Sequence, residues 1–339
     1  VWNPRRSPSA RLGALAAIAA LALGLVPSAA ASPTASPAAS PAESSSTAQE
    51  TSEPTASSVR IATFNTAATS TTRQGFLDVK NLLAQEPDIV ALQEMSSWAR
   101  RERVRTRLLD CETCLWDGWI PVPAVPGGQP ILWRSDKFTF LGRDWIQVAP
   151  ETFVGDRGAG PATMHAKYVV RVRLKDNLTG RTIWILNTHF VPTVQGPDGG
   201  RNKNVRRARL YARHMAGLQA VIDRIHSEEG GGLVFVTGDF NVNFRNDKVA
   251  QDPIFPYAAL GTRGFRSSYY QVGEPGTGTH VLSNGFDMRL IDYVNFKPTR
   301  RVIATGQRIV TGMNSDHRPL IAGFKINGRG CWVRGELIC

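Results

Sequence analysis

The chain has 339 residues, 42% of them hydrophobic, which is enough for a sizeable core and excludes a wholly disordered or fibrous polymer. Lys and Arg number 40 against 28 Asp and Glu, a net charge of +12. That balance suits an acidic partner (nucleic acid, anionic lipid or a phosphorylated metabolite) or serves solubility alone, and it argues against a basic partner. With 4 Cys the chain is too cysteine-poor to be a disulfide-stapled mini-fold.

Residues 1–31 read as a secretory signal peptide. Arg5, Arg6 and Arg11 form a basic start. The apolar run 12–26 is shorter than the roughly 20 residues that span a bilayer, and the small residues at 28–31 resemble a cleavage site. Residues 32–58 are Ser, Thr, Ala and Pro with Glu43, Glu50 and Glu53 and no apolar period, so they are expected to be a disordered linker. The three arginines and three glutamates cancel, which leaves the whole +12 on 59–339, read as a single domain with a short Cys-containing tail. An exported chain permits disulfides. Cys111 with Cys114, and Cys331 with Cys339, are the sequence-near pairing expected among three possible ones; the lone CxxC lacks the further ligands of a zinc site.

In chain order, 59–64 alternates and is expected as a strand ending at Asn65. Phe76, Val79 and Leu83 repeat at helical spacing, and Glu86-Pro87 stops that helix. The apolar runs 89–92 and 131–133 are expected as buried strands. Segments 168–174 and 181–186 flank a turn-rich Asp176-Asn177-Leu178-Thr179-Gly180 and form a hairpin. A helix is expected over about 204–226, with the stripe Ala208, Tyr211, Met215, Leu218, Ile222 and Ile225. Strands follow at 233–236, 291–296 and 320–326. Hairpins mixed with crossover helices imply two mixed β-sheets packed face to face with helices outside, an α/β fold.

Strand after strand stops in a residue suited to metal or phosphate chemistry: Asn65, Glu94, His189, Asp239 with Asn241, and Asp292 within a strand. Asp316 and His317 precede the last one. Singly, each has an ordinary structural reading; together they make the set that phosphodiester hydrolysis needs. A hard divalent ion held by carboxylates offsets the anionic oxygens, amide and imidazolium donors stabilise the transition state, and a carboxylate orients water. No Gly-x-Ser-x-Gly elbow, phosphate-binding P-loop or dinucleotide glycine fingerprint is present.

Pro-Asp-Ile-Val-Ala-Leu-Gln-Glu (87–94), Asn-Thr-His (187–189), Gly-Asp-Phe-Asn (238–241), Ile-Asp-Tyr (291–293) and Ser-Asp-His-Arg-Pro (315–319) resemble the endonuclease/exonuclease/phosphatase superfamily with its deoxyribonuclease-I-like fold. The resemblance covers nearly all of 59–326 and implies a four-layer α/β sandwich with the site at one edge of both sheets. It implies that Glu94 is the principal metal ligand, with Asn65 and Asp316 as supporting ligands. Asp239 is then the water-orienting acid, Asn241 a phosphate donor, and His317 the catalytic histidine backed by Asp292, with His189 as the second histidine. The metal implied is Mg2+, with Mn2+ or Ca2+ as alternatives. Two departures stand out. Unlike deoxyribonuclease I, the chain has no acid before 131–133 to orient His189, where the stretch reads Pro126-Gly127-Gly128-Gln129-Pro130, and Ser96 stands where that enzyme has an arginine that enters the DNA minor groove.

Arg100, Arg101, Arg103, Arg105 and Arg107 form one basic cluster. Arg201, Lys203, Arg206, Arg207, Arg209 and Arg213 form another. Arg206, Arg209 and Arg213 lie opposite the apolar stripe and fit a solvated helix face, whereas Arg201 and Lys203 are candidates for phosphate contact. The expected function is a secreted metal-dependent phosphodiesterase, a nuclease on DNA or RNA. The alternative is a sphingomyelinase-like phospholipase C acting on membrane lipid, or a small-molecule phosphatase. For the lipase, Tyr269-Tyr270 and Trp116/Trp119 are the candidate aromatics. No obligate protein partner is evident and a monomer is expected.

Overall fold

In this computed structural model the strands run, in chain order, β1 (Ala56–Asn65), β2 (Ile89–Gln93), β3 (Trp116–Trp119), β4 (Ile131–Arg134), β5 (Phe138–Ala149), β6 (Thr152–Phe153), β7 (Thr163–Met164), β8 (Lys167–Asp176), β9 (Thr182–His189), β10 (Leu233–Asp239), β11 (Arg266–Ser267), β12 (Asp292–Phe296), β13 (Val302–Ile309) and β14 (Leu320–Asn327), followed by a short pair at Trp332–Val333 and Glu336–Leu337. The helices are α1 (Thr72–Leu83), α2 (Trp98–Val104), α3 (Ala124–Gly127), α4 (Val205–Ser227), α5 (Phe244–Ala250), α6 (Pro256–Gly261) and α7 (Ser268–Val272). The structure describes residues 56–110, 113–122, 124–155, 162–281 and 289–328 besides that last pair. The signal-like segment, the linker up to residue 55, and Cys111, Cys331 and Cys339 lie outside the described residues. Cys114, the one described cysteine, is not free.

Two six-stranded mixed sheets form the core, in the orders β13-β14-β1-β2-β4-β3 and β11-β12-β10-β9-β8-β5. Each holds one parallel pair near its centre, β1 with β2 and β9 with β10. Parallel neighbours need a crossover, and α1 and α4 supply it. A capping box of Thr71 and Gln74 starts α1. The Asn204 side chain accepts from the Arg207 backbone N–H at 3.0 Å to start α4. All six residues of the expected α4 stripe are buried.

The parallel pairs fix where the chemistry lies. Two parallel strands end on the same side, and in open α/β sheets that carboxyl edge is where ligands bind. Asn65 sits opposite Gln93, next to Glu94, in one sheet. His189 sits opposite Asp239, and Asp239 opposite Asp292, in the other. Phe324 of β14 packs edge-on against Phe235 of β10 and Phe296 of β12, each at 4.9 Å, joining the sheets in their core. Nearer the carboxyl edge, the buried Gln93 amide donates to the Asn187 side-chain oxygen at 2.7 Å and clasps one sheet to the other.

One boundary moves and three strands are added. β1 begins at Ala56, inside the segment read as linker, because Ala56, Ser57 and Ser58 continue the ladder with Asn327, Ile326 and Lys325. The long strands β5 and β13 were not anticipated; both are sheet edges with mostly exposed or half-exposed side chains, so neither carries a clean apolar alternation. The CxxC region contributes the edge strand β3, paired with β4.

Candidate active site

At the shared edge the Asn65 amide donates to Glu94 Oε1 at 3.1 Å and to Asp239 Oδ2 at 3.0 Å, bridging the two sheets. His189 Nε2 lies 3.5 Å from Asp239 Oδ2 and 3.7 Å from Glu94 Oε1. His317 Nε2 approaches the same Asp239 oxygen at 3.7 Å, while its Nδ1 is 2.9 Å from Asp292 Oδ2. Asp239 Oδ1 accepts from the Asn241 backbone N–H at 2.8 Å, and the Asn241 amide donates to the Phe190 carbonyl at 3.2 Å. Thus Asn65, Glu94, His189, Asp239, Asn241, Asp292 and His317 form one constellation.

Burial and neighbours divide the protons among these groups. For His317, burial opposes the charge, but Asp292 and Asp239 outweigh it and push its pKa up to about 10. For His189, burial is the largest influence and lowers the pKa, with Asp239 and Glu94 opposing it in part. Burial raises Asp239 above the usual carboxylate value, helped by Asp292 and resisted by His317, His189 and the Asn65 amide. Burial also works against Glu94 ionising, yet His189, the Ala68 N–H, Asn65 and His317 together hold it below its ordinary value. The free site at neutral pH therefore holds ionised Glu94, charged His317 and neutral His189.

The scaffold behind them explains the motifs. At Gly238 (φ 150°) a Cβ would stand 2.0 Å from the Thr188 carbonyl oxygen of the parallel neighbour, so only glycine can precede Asp239 here. Glu94 and Asn241 both lie in the left-handed region, at φ 58° and 54°, a conformation that costs non-glycine residues energy and that surrounding contacts must impose. For Glu94 that contact is Arg100, fully buried, whose guanidinium donates to the carbonyls of Glu94 (3.4 Å), Ala67 (3.0 Å), Thr66 (3.4 Å) and Ser70. The buried Asp78 carboxylate accepts from the backbone N–H groups of Asn314 (2.9 Å) and Ser315 (3.1 Å) and sets the loop carrying His317. Ser315 Oγ then donates to the Asn65 carbonyl at 2.8 Å, tying that loop to the end of β1.

Several expectations are revised by this geometry. Arg100 and Arg101 are buried, and Arg105 pairs with Glu102 and Asp110, so the first basic cluster is only partly a free surface. Arg207 is fully buried on α4. Arg201 Nε is 2.7 Å from Asp252 Oδ2, which engages its charge, whereas Lys203 is exposed. Asp316 is 59% exposed, with Oδ2 4.0 Å from His280 Nε2 and Oδ1 3.5 Å from Ser315 Oγ. His189 lacks an acid before β4, as the sequence implies, but Glu94 and Asp239 flank it. Tyr269 is buried, so Tyr269-Tyr270 forms no exposed aromatic hairpin.

Two residues at the site escaped the sequence reading. His280 packs edge-on against His317, centroids 4.8 Å apart, and burial with the His317 charge lowers its pKa to about 4. Lys167 opens β8 and is buried, and burial lowers its pKa to about 8 against the pull of Asp239 and Glu94. Among the described residues its ammonium has no hydrogen bond or ion pair. Neither had a sequence signal: each stands alone, outside the strand-end motifs.

A sequence model of the Endonuclease/Exonuclease/phosphatase family matches residues 62–317, from β1 to His317. The chain belongs to this family. Membership makes it a hydrolase of phosphoester bonds. Among solved structures it is similar to an endonuclease/exonuclease/phosphatase family protein from Bacteroides thetaiotaomicron (15% identity, 81% of this chain and 97% of that one, TM-score 0.60). It is also similar to the mannosyl-6-phosphatase of Bacteroides thetaiotaomicron VPI-5482 (15%, 78% and 99%, TM-score 0.56). A third is D. rerio TDP2 complexed with a single-strand DNA product (15%, 79% and 99%, TM-score 0.54). None of the curated proteins compared matches the sequence. At such identities the neighbours establish the deoxyribonuclease-I-like fold and leave the substrate open.

The donors fit a hard divalent cation. Glu94 is ionised and 28% exposed, at the open side of the site. The Asn65 NH2 donates to both Glu94 and Asp239, while its side-chain oxygen accepts from the Ala67 backbone N–H at 3.0 Å; Glu94, with Asn65 beside it, would hold the ion. Asp239 and Asp292 place further carboxylate oxygens close by, and among the described residues Asp292 Oδ1 is buried without a hydrogen-bond partner, whereas charged His317 has no free nitrogen to offer a metal.

Proposed function

We propose that the protein is an exported, Mg2+-dependent phosphodiesterase acting on nucleic acid. The observation that carries the chemistry is the buried His317 ring set between two carboxylates, Nδ1 2.9 Å from Asp292 Oδ2 and Nε2 3.7 Å from Asp239 Oδ2. A His317 that Asp292 and Asp239 keep charged at neutral pH is a donor for phosphoryl oxygens and a poor base. The base role falls to Asp239, whose raised pKa makes it the better proton acceptor for an attacking water and whose orientation is fixed by the Asn241 N–H and Asn65. His189 is neutral in the free site, and an arriving phosphate anion favours its protonation, so it gains charge with the substrate. Asn241 and Lys167 add donors for phosphate oxygens. A divalent ion at Glu94 would neutralise anionic oxygens and polarise the phosphorus.

Three features support nucleic acid. The net charge is +12, exposed Lys203 precedes α4, and Lys167, which feels the charges of Asp239 and Glu94, has no hydrogen bond or ion pair among the described residues. Export rests on the sequence of 1–31 alone. The test is a panel of plasmid DNA, RNA, sphingomyelin, inositol phosphates and sugar phosphates, each with Mg2+ and with EDTA. Mg2+-dependent cleavage of DNA or RNA is the expected result. Brisk turnover of sphingomyelin or a phosphomonoester with no nucleic acid cleaved would replace this reading with the lipase or phosphatase one.

A further inference from the structure

Beside the site lies a groove that the chemistry above does not use. It has a volume of about 500 Å3 and runs between α1 and the face of α2 that continues into a π-helical turn, Arg105–Leu109. Phe76 and Trp98 supply its aromatic surface, and Arg103 and Arg107 its basic side. Trp98 is 58% exposed, unusual for the largest apolar side chain. The Arg101 guanidinium stands 5.5 Å from the indole centroid and backs the ring, and Arg103 lies 5.0 Å from the Phe76 ring centroid. Arg103 and Arg107 are exposed and, among the described residues, form no ion pair. The acid of the groove, Glu102, is occupied by Arg105 at 2.6 Å.

We infer that this groove binds a nucleobase and flanking phosphate of a single-stranded nucleic acid whose scissile phosphate sits at Glu94. The inference rests on the nucleic-acid reading above and names where the strand runs. Aromatic platforms next to arginines are the chemistry that holds single strands without reading sequence, because every base has a stacking face. The groove is within reach of the site: Trp98, at its edge, follows Glu94 by four residues, a span of at most about 14 Å. Arg100, on the same helix, hydrogen-bonds the Glu94 carbonyl. Ala99 and Arg103, four residues apart on one face of α2, and Arg107 on the π-helical turn all line the groove.

The experiment compares wild type, Trp98→Ala and Arg107→Glu on three substrates: a single-stranded oligonucleotide, a dinucleotide, and bis(para-nitrophenyl) phosphate, which fills only the scissile position. Trp98→Ala is expected to raise KM for the oligonucleotide roughly tenfold with kcat little changed. The same variant should leave bis(para-nitrophenyl) phosphate turnover at the wild-type level. Arg107→Glu should raise the oligonucleotide KM and flatten its salt dependence. Unchanged oligonucleotide KM in both variants, with wild type still cleaving nucleic acid, overturns the groove and leaves the proposed function standing. No cleavage or binding of any nucleic acid by wild type overturns both. Equal loss on all three substrates in both variants would mean the helix acts by holding Glu94, which also overturns the groove. So would loss of binding to sphingomyelin vesicles with the oligonucleotide KM unchanged, which assigns Trp98 to a lipid surface.

Discussion

His317 lies between two buried carboxylates, and that placement makes its proton part of the fold. Its pKa of about 10 exceeds the ordinary value of 6.5, so the folded state binds this proton more tightly than the unfolded chain. The stabilisation is complete below about pH 6.5 and is lost as pH rises toward 10. Melting curves of wild type and His317→Asn between pH 6 and 10 should therefore converge as pH rises; parallel curves would contradict the charge assignment. For catalysis, His317→Ala is expected to reduce kcat more than His189→Ala, with the first loss about 10²–10⁴-fold. The reason is that Asp292 fixes the tautomer and charge of His317, while His189 has only the two site acids at 3.5–3.7 Å. A larger kcat loss for His189→Ala would show that His189 carries the charge that matters.

At the scale of elements, the central strands, α1 and α4 were legible because each buries one continuous or periodic apolar face. The edge strands β5 and β13 were not, since solvent takes most of their side chains and erases the pattern. The site was legible for a related reason: its residues end strands whose apolar runs are easy to read, so the polar terminus stands out. Arg100 and Asp78 could not be read. A charged residue is ordinarily a surface residue, and nothing in the sequence marks these two as buried supports of loops. Their burial makes a sharp expectation. Arg100→Met removes donors from the carbonyls of residues 66, 67, 70 and 94, and should cost about 2–4 kcal/mol of stability. Because the left-handed turn at Glu94 relaxes with it, kcat should fall more than KM rises. A variant with wild-type denaturant midpoint and kcat would show that the clamp is idle.

Over the whole molecule, the charge of +12 and the metal requirement should appear together in one substrate's kinetics. A polyanion releases counterions on binding, so KM for DNA or RNA should rise several-fold between about 50 and 200 mM NaCl, while a zwitterionic headgroup would show a shallow dependence. The measurement that bears most directly on the site is a Mg2+ titration of oligonucleotide hydrolysis by wild type and Glu94→Gln, with folding checked by circular dichroism. Glu94 closes a buried strand with an ionised carboxylate at the open side of the site. Losing that charge should weaken metal binding and lower turnover by roughly 100-fold or more, with the fold intact. Full activity of Glu94→Gln at ordinary Mg2+, or equal wild-type activity in EDTA, would contradict the account.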